Sequence, residues 1–332
     1  MRIRAFTAAI LACTAGGALA QGPTALRSIP GTDGGWDYAS IDTAANRFFV
    51  AHGDSVASID LANPVAATIF APARHAHAVL PIPDRDEILV TDGDTATARL
   101  LDANTGTVRA TIAVGQKPDA AIWDAYSKRA IVMNAKSGTV MAIDPATAKV
   151  TATVTLAPGL EYAVVGPRGL LYVNNEDNND ITIVDLAASQ VIAKVALPGC
   201  KGPTGMAWAP NAKRIVSSCD GAATLFDPAT RKVTGTIAIG GGPDAVIPDP
   251  LRGRLYIPSG DDGTLAVLED SAAGVKLVKT IPTVKGARTG AVDPRDGRVY
   301  LPVSDFTPNP AGGRPKQVPG TFRILVIEPS RP

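Results

Sequence analysis

Short apolar runs, each of about four to seven residues, are separated along the whole chain by clusters of Gly, Pro, Asn and Asp. The runs are rich in β-branched residues, as in Ala120–Trp123, Thr139–Ile143 and Arg254–Ile257. No stretch of about twelve residues has the 3.6-residue period of an amphipathic helix. The pattern therefore predicts an all-β chain.

The runs belong to a repeat that is marked by an apolar residue followed by an acid. The marker occurs at Ile59-Asp60, Leu101-Asp102, Ile143-Asp144, Val184-Asp185 and Phe226-Asp227, with weaker copies at Leu268-Glu269 and Ile327-Glu328. The numbering of these acids gives successive spacings of 42, 42, 41, 42, 42 and 59 residues. Each unit contains four strand-like runs, and such a period is typical of propeller blades. We expect a seven-bladed β-propeller with four antiparallel strands per blade.

The two ends of the chain indicate how the ring closes. The first, second and third strands of the unit each occur seven times, but only six fourth strands follow them. Leu26–Pro30 resembles the missing fourth strand and is expected to pair beside Phe322–Ile327, so that the N-terminal strand completes the last blade. The aligned Asp, as in the turns that begin at Asp102 and Asp144, is expected to close the turn between strands three and four by accepting backbone hydrogen bonds. This interpretation gives that acid a structural role.

The strand motifs Leu171-Tyr172-Val173-Asn174-Asn175 and Leu255-Tyr256-Ile257-Pro258-Ser259 resemble those of the YVTN-repeat (YncE-like) β-propeller family. The resemblance covers about residues 24–329. It implies a propeller fold and a family that mixes binding proteins with uncharacterised members. Some relatives are linked to DNA binding.

The N-terminus has the features of a secretory signal peptide: Arg2 and Arg4, an apolar stretch to Leu19, and small residues before Ala20. We expect cleavage after Ala20, leaving one propeller domain over 21–332 and a periplasmic or secreted location. An alternative interpretation makes Cys13 a lipid anchor. No later run is long enough to span a membrane. Loss of the two leader arginines reduces the 32 basic residues to 30, against 31 acids. That balance disfavours nucleic acid as a partner, and we expect a monomer.

Only Cys200 and Cys219 remain after cleavage, and an oxidising compartment favours their pairing. The runs around Pro210-Asn211-Ala212 predict a hairpin whose open end holds both thiols. We therefore expect a disulfide, with two unpaired cysteines as the alternative.

Propeller ligands usually bind at one end of the central channel, where the innermost strands begin. Aligning the units places polar side chains there, which points to a site for a cation, a metal or a polar small molecule. The alternative is an ordinary wet channel. The aligned residues are Asp37, His77, Asp119, Glu161, Thr204, Asp244 and Arg288.

The chain has three histidines, His52, His75 and His77, and together they could bind a divalent metal ion. His75 and His77 share a face only if the strand between them is regular. The long loop Ser304–Gly320 leaves from the channel-mouth face and is expected to act as a lid or a contact surface.

No catalytic motif stands out, so we expect a non-enzymatic binding or scaffold protein that uses the channel mouth and binds a protein or a polar small molecule. No cofactor is specified. The alternative is a metal-dependent, lactonase-like hydrolase with a divalent cation at the channel.

Overall fold

The computed structural model describes residues 26–309, 313 and 315–328. The predicted signal peptide, its cleavage site at Ala20 and Cys13 lie outside the described residues. In the first half of the described chain the strands are β1 (Leu26–Pro30), β2 (Ala39–Asp42), β3 (Arg47–Asp60), β4 (Thr68–Ile82), β5 (Glu87–Asp92), β6 (Thr97–Asp102), β7 (Val108–Ala113), β8 (Pro118–Asp124), β9 (Arg129–Asn134), β10 (Thr139–Asp144), β11 (Lys149–Thr155), β12 (Leu160–Val165), β13 (Leu171–Asn175) and β14 (Asp180–Asp185).

In the second half the strands are β15 (Gln190–Ala196), β16 (Met206–Ala209), β17 (Arg214–Cys219), β18 (Ala222–Asp227), β19 (Lys232–Ala238), β20 (Ile247–Asp249), β21 (Arg254–Ser259), β22 (Thr264–Ser271), β23 (Gly274–Pro282), β24 (Ala291–Val292), β25 (Val299–Val303), β26 (Phe306–Thr307), β27 (Lys316–Gln317) and β28 (Arg323–Ile327). A short 3₁₀ helix, Pro167–Gly169, lies between β12 and β13 of the first half. The described chain is all-β, as the sequence predicted.

The strands form antiparallel sheets whose order follows the repeat. Four sheets run in chain order, β8 to β11, β12 to β15, β16 to β19 and β20 to β23. A fifth has the order β1-β28-β25-β24, and Ser28 of β1 lies opposite Leu325 of β28. The N-terminal strand therefore completes the last sheet, which confirms the predicted closure. A small hairpin, β26–β27, stands apart within the long loop.

The prediction of seven separate four-stranded blades was wrong in its count, because the described chain forms six sheets of four or more strands. The first two units share one six-stranded sheet, β2 to β7. The reason is that β3 and β4 continue without a break through positions where the sequence pattern predicted strand ends. β3 and β4 pair with register shifts near Gly53 and Val56, and β4 bends where His75 has a positive φ of 56°.

The first strands of the units lie side by side and close a circle. Each contacts the next in the order β2, β4, β8, β12, β16, β20, β24 and again β2. Hydrophobic side chains fill the space between neighbouring sheets. The seam between the first and last sheets, for example, buries Phe48, Tyr300, Phe322 and Ile324. This circle surrounds the central channel. The channel mouth is the end of the channel where these first strands begin.

The aligned aspartates close their turns as predicted, whereas Glu269 and Glu328 pair with basic side chains. Asp102 Oδ1 accepts hydrogen bonds from the backbone N–H groups of Asn104 and Thr105 at 2.9 and 2.8 Å, and Asp144 accepts one from Ala146 at 2.9 Å. Short side chains of this kind satisfy turn amides that the strand ladder leaves unpaired. These acids therefore belong to the scaffold.

Cys200 and Cys219 form the predicted disulfide, with their Cα atoms 5.3 Å apart, inside the range that a disulfide requires. β16 and β17 form the hairpin that brings Cys219 next to Cys200. Among the described residues, no helix has the length and apolar character needed to cross a membrane.

Candidate ligand-binding site at the channel mouth

Hydrogen bonds join neighbouring units around the mouth and hold the starts of most first strands in place. Most of them run from a side chain or backbone N–H of one unit to a backbone carbonyl of its neighbour. They are Tyr38 N to His77 O, Thr91 Oγ1 to Asp119 O, Asn174 Nδ2 to Thr204 O, Thr204 Oγ1 to Pro243 O, Asp244 N to Arg288 O, and Thr289 Oγ1 to Asp37 O. These hydrogen bonds tie Asp37, His77, Asp119, Thr204, Asp244 and Arg288 to the neighbouring units around the circle.

His77 lies between two carboxylates at this entrance. Its Nδ1 donates to Asp37 Oδ2 at 2.7 Å and lies 3.5 Å from Asp119 Oδ1, while the other oxygen of Asp119 is 3.2 Å from Lys117 Nζ. Burial alone would lower the pKa of His77, but the hydrogen bond to Asp37 and the charge of Asp119 raise it above the usual value. Burial and the nearby Asp37 raise the pKa of Asp119.

Glu161 forms no direct ion pair in the part of the chain that the structure describes, although the charge of Lys117 lies near enough to interact with it. Its carboxyl group accepts a hydrogen bond from Tyr38 Oη at 3.4 Å. Burial, reinforced by the negative charges of Asp119, Glu176, Asp244 and Asp37, raises the pKa of Glu161 to about 10. A carboxyl group in this state keeps its proton at neutral pH, because burial and the neighbouring acids disfavour its negative charge by more than Lys117 offsets it.

Asp244 and Arg288 form an ion pair further around the mouth. Burial raises the pKa of Asp244 to about 6, although the charge of Arg288 opposes this shift. Arg288 also donates to the carbonyl of Trp36 at 3.1 Å and lies 5.5 Å from the centre of the Trp36 ring. The guanidinium is therefore held by one carboxylate and one aromatic residue.

We refer to the charged groups at this entrance as the mouth cluster. It consists of Asp37, His77, Lys117, Asp119, Glu161, Glu176, Asp244 and Arg288. Five carboxyl groups thus face two permanent cations and one histidine. The raised pKa values of Glu161 and Asp244 arise from burial together with this imbalance. Chemically, the mouth is suited to a ligand that brings positive charge.

Thr204 lies at the position that the alignment gave it, but its side chain is engaged within the ring. Its hydroxyl donates to Pro243 O at 2.6 Å and is 3.2 Å from the Ser218 hydroxyl. With only 9% of its surface exposed, Thr204 holds two sheets together.

The three histidines do not come together in one group. The His52 ring packs edge-on against Phe322, 4.6 Å between centroids, and its Nδ1 is 3.2 Å from the Ser55 hydroxyl. The His75 and His77 rings are 4.6 Å apart, but His75 is exposed and contacts Asp94. In the described chain, the group with three donor atoms within 4.8 Å of one another is Asp37, His77 and Asp119.

Sequence reasoning missed Tyr38, Lys117 and Glu176. Glu176 lies in the loop that follows β13, the second strand of its unit. The loops after second strands were expected on the channel-mouth face, so the repeat alone could have predicted the position of Glu176. Lys117 precedes the first strand by one residue in a turn where its own φ is 49°. Nothing in the alignment indicated that its amine would turn back onto Asp119.

The long loop returns to the channel-mouth face, as expected from its position. Gln317 donates to the carbonyl of Gly34 at 3.3 Å, and Asp33 accepts a hydrogen bond from the backbone N–H of Phe322 at 3.2 Å. Phe306 lies 6.0 Å from Trp36, measured between ring centres. The described part of the loop is therefore anchored next to the mouth cluster.

No protein-family model matches this chain, and no curated protein matches it. Solved structures do. A chain in the crystal structure of a mitotic checkpoint complex superposes with a TM-score of 0.74 and 16% identity, covering 99% of both chains. Hydrazine synthase of Kuenenia stuttgartiensis gives a TM-score of 0.68 and 15% identity over 86% of this chain and 96% of that one. Virginiamycin B lyase from Staphylococcus aureus gives a TM-score of 0.71 and 11% identity, over 92% of this chain and 99% of that one.

This chain is a β-propeller. At such low identities the likeness concerns the fold alone, and the propeller supports many unrelated functions. The matched chains also differ in kind, from an assembly component to a lyase. Any function must therefore be argued from the mouth cluster.

Proposed function

We propose that this chain is a binding protein whose channel-mouth face captures a positively charged ligand. The observation that carries the proposal is Glu161, a partly buried carboxyl group beside Asp119, Glu176 and Asp244, whose pKa is raised to about 10 by desolvation and by these acidic neighbours. A bound cation would offset the cause of that shift, so ligand binding and ionisation of Glu161 favour each other. The proposal requires no catalytic step.

The same linkage supplies the test. Titration calorimetry of the protein with 1,4-diaminobutane at pH 7.5, in two buffers of different ionisation enthalpy, should show binding with release of protons. Glu161→Gln removes the proton that is released and should weaken binding at least tenfold, about 1.4 kcal/mol. Glu269→Gln, on the outer part of the sheet, is the matched control. Absence of binding, or binding without proton release, would contradict the proposal.

The second candidate is the metal-dependent hydrolase, and a specific observation favours it. Asp37, His77 and Asp119 place two carboxylates and one imidazole within 4.8 Å of one another, a mixed oxygen and nitrogen set that suits a borderline divalent ion. Metal analysis of protein purified without chelators separates the two candidates. A stoichiometric divalent ion that is lost in His77→Ala would favour the hydrolase, whereas metal-free protein that binds the diamine would favour the first candidate.

We also propose that the protein is exported and belongs with the YVTN-repeat propellers. The Cys200–Cys219 disulfide supports an oxidising compartment. In the strand motif, Asn174 donates from β13 to the carbonyls of Thr204 and Gly205 in the next unit, which gives the motif's asparagine a structural role. Mass spectrometry of the protein recovered from a secreting host should give a mature chain that begins at Gln21.

A further inference from the structure

A cleft of about 930 Å³ opens beside the mouth cluster, between the last two sheets and under the long loop. Its volume is within the range of small-molecule sites. Asp244 and Arg288 line this cleft and also belong to the mouth cluster, so the cleft lies next to the mouth and shares two charged side chains with it. The cleft is therefore positioned to receive part of whatever the mouth binds.

Glycine makes up part of the wall of the cleft. Gly242, Gly260 and Gly286 come from successive segments, and backbone hydrogen bonds join Gly260 N to Gly242 O at 3.0 Å and Gly286 N to Gly260 O at 2.7 Å. A methyl group on Gly260 would lie 3.0 Å from the Arg288 side chain, and one on Gly286 would lie 3.2 Å from the Phe306 ring. The absence of side chains at these three positions lets Asp261, Arg288 and Phe306 approach the backbone closely.

The rest of the wall is largely apolar. Phe306 is 42% exposed, and Val284 lines the same cleft. Phe306 also packs beside Trp36. An aromatic or branched apolar group placed here would cover Phe306 and be removed from water.

The charges at the rim indicate what such a ligand carries. Arg288 is paired with Asp244, and Asp305 is paired with Arg323 at 2.8 Å. Asp261 and Lys285 complete the charged rim. The mouth cluster adds the carboxyl groups of Asp37, Asp119 and Glu176 against Lys117 and His77. Glu161 is protonated in the ligand-free protein and can contribute a further negative charge when a cation binds.

We propose that the ligand is an organic amine with an aromatic or branched apolar body, whose ammonium group binds the mouth cluster and whose body fills the cleft against Phe306. This inference rests on the proposed function, because it specifies the class of cation that the mouth binds. A bare metal ion or a small hydrophilic amine would leave the cleft unused.

The test compares three probes by titration calorimetry on the full chain. 2-Phenylethylamine carries both the ammonium group and an aromatic ring. Ethylamine has the ammonium group without the ring, and 3-phenylpropionate has the ring with a negative charge. We expect 2-phenylethylamine to bind at least tenfold more tightly than ethylamine, with no measurable binding of 3-phenylpropionate. Phe306→Ala should abolish the preference for the aromatic amine and leave ethylamine unaffected.

Tyr126→Ala is the matched control, because it removes an exposed aromatic ring, 72% accessible, from a turn outside the cleft. Circular dichroism of both variants verifies the fold. Equal affinities for the two amines, tight binding of 3-phenylpropionate, or an unaltered preference in Phe306→Ala would overturn the inference. If ethylamine still binds with proton release in those cases, the proposed function survives; if neither amine binds, the proposed function fails as well.

Discussion

Replacement of Glu161 by glutamine should make the protein more stable relative to wild type as the pH rises. The glutamine side chain has the shape of the protonated acid and can still accept the hydrogen bond that Tyr38 donates to Glu161. It cannot ionise. Any pH-dependent difference in stability between the two proteins therefore reports the proton on Glu161.

The sign and the size of this stability difference follow from the pKa values of Glu161 in the unfolded and in the folded chain. The carboxyl group loses its proton near pH 4.5 in the unfolded chain and near pH 10 in the folded one, because burial and the neighbouring acids oppose its charge. Between these values folding takes up a proton, so the free energy of unfolding of the wild type falls as the pH rises. One proton corresponds to at most about 1.4 kcal/mol per pH unit, or about 2.7 kcal/mol between pH 6 and 8.

Urea denaturation of both proteins at pH 6, 7 and 8 measures this difference. The free energy of unfolding of Glu161→Gln minus that of wild type should increase steadily, approaching the limit of about 2.7 kcal/mol over the series. Glu269→Gln is the control: a hydrogen bond from Lys276 lowers the pKa of Glu269, so this carboxylate is ionised in both states over the same range. A constant difference for Glu161→Gln would show that the mouth cluster does not hold a proton on this group.

Three further predictions concern the scaffold. The Cys200–Cys219 disulfide links residues 19 positions apart, and its reduction should lower the free energy of unfolding by about 3 kcal/mol. Denaturation with and without reductant measures this change, and an unchanged free energy of unfolding would contradict the stabilising role of the disulfide. Asn174→Ala should cost about 3 kcal/mol in the same assay, because the carbonyls of Thr204 and Gly205 and the Ser217 hydroxyl lose a buried partner. Gly205→Ala should cost about 3 kcal/mol because the added methyl would lie 2.5 Å from the backbone of Ala245. Gly35→Ala, where nothing lies within 4 Å, should have little effect, and equal costs for the two glycines would refute the close-approach argument.

The sequence was informative wherever a feature depended on local chemistry or on the period of the repeat. Asp102 and Asp144 could be given their turn role because the residues they contact lie two or three positions further on. Pairing of β1 with β28 could be deduced by counting strands. The disulfide followed from one hairpin and two cysteines.

Other features depend on geometry that the period does not encode. The fusion of the first two units into one sheet depends on whether β3 and β4 bend or break near Gly53 and His75. Residue types at these positions are compatible with both outcomes. A regular strand would place His75 and His77 on one face, but the positive φ of His75 changes that relation, and His75 ends exposed while His77 is buried.

The alignment predicted which residues surround the channel but not how their charges interact. Asp37, Asp119 and Glu161 could be placed at the mouth from their positions in the repeat. Among the described residues Asp119 contacts both His77 and Lys117, whereas Glu161 makes no direct ion pair. This difference depends on side-chain directions over distances of a few ångströms. These directions decide which carboxyl group retains a proton.

Infrared difference spectroscopy of Glu161 tests the central claim most directly. In ligand-free protein at pH 7.5, a carbonyl band of a protonated carboxyl group should be present and should be missing from Glu161→Gln. Saturation with 2-phenylethylamine should remove that band from the wild type as Glu161 ionises next to the bound ammonium group. A ligand-free wild type without the band, or a band that persists at saturation, would contradict the conclusion that this mouth is a site for a cation.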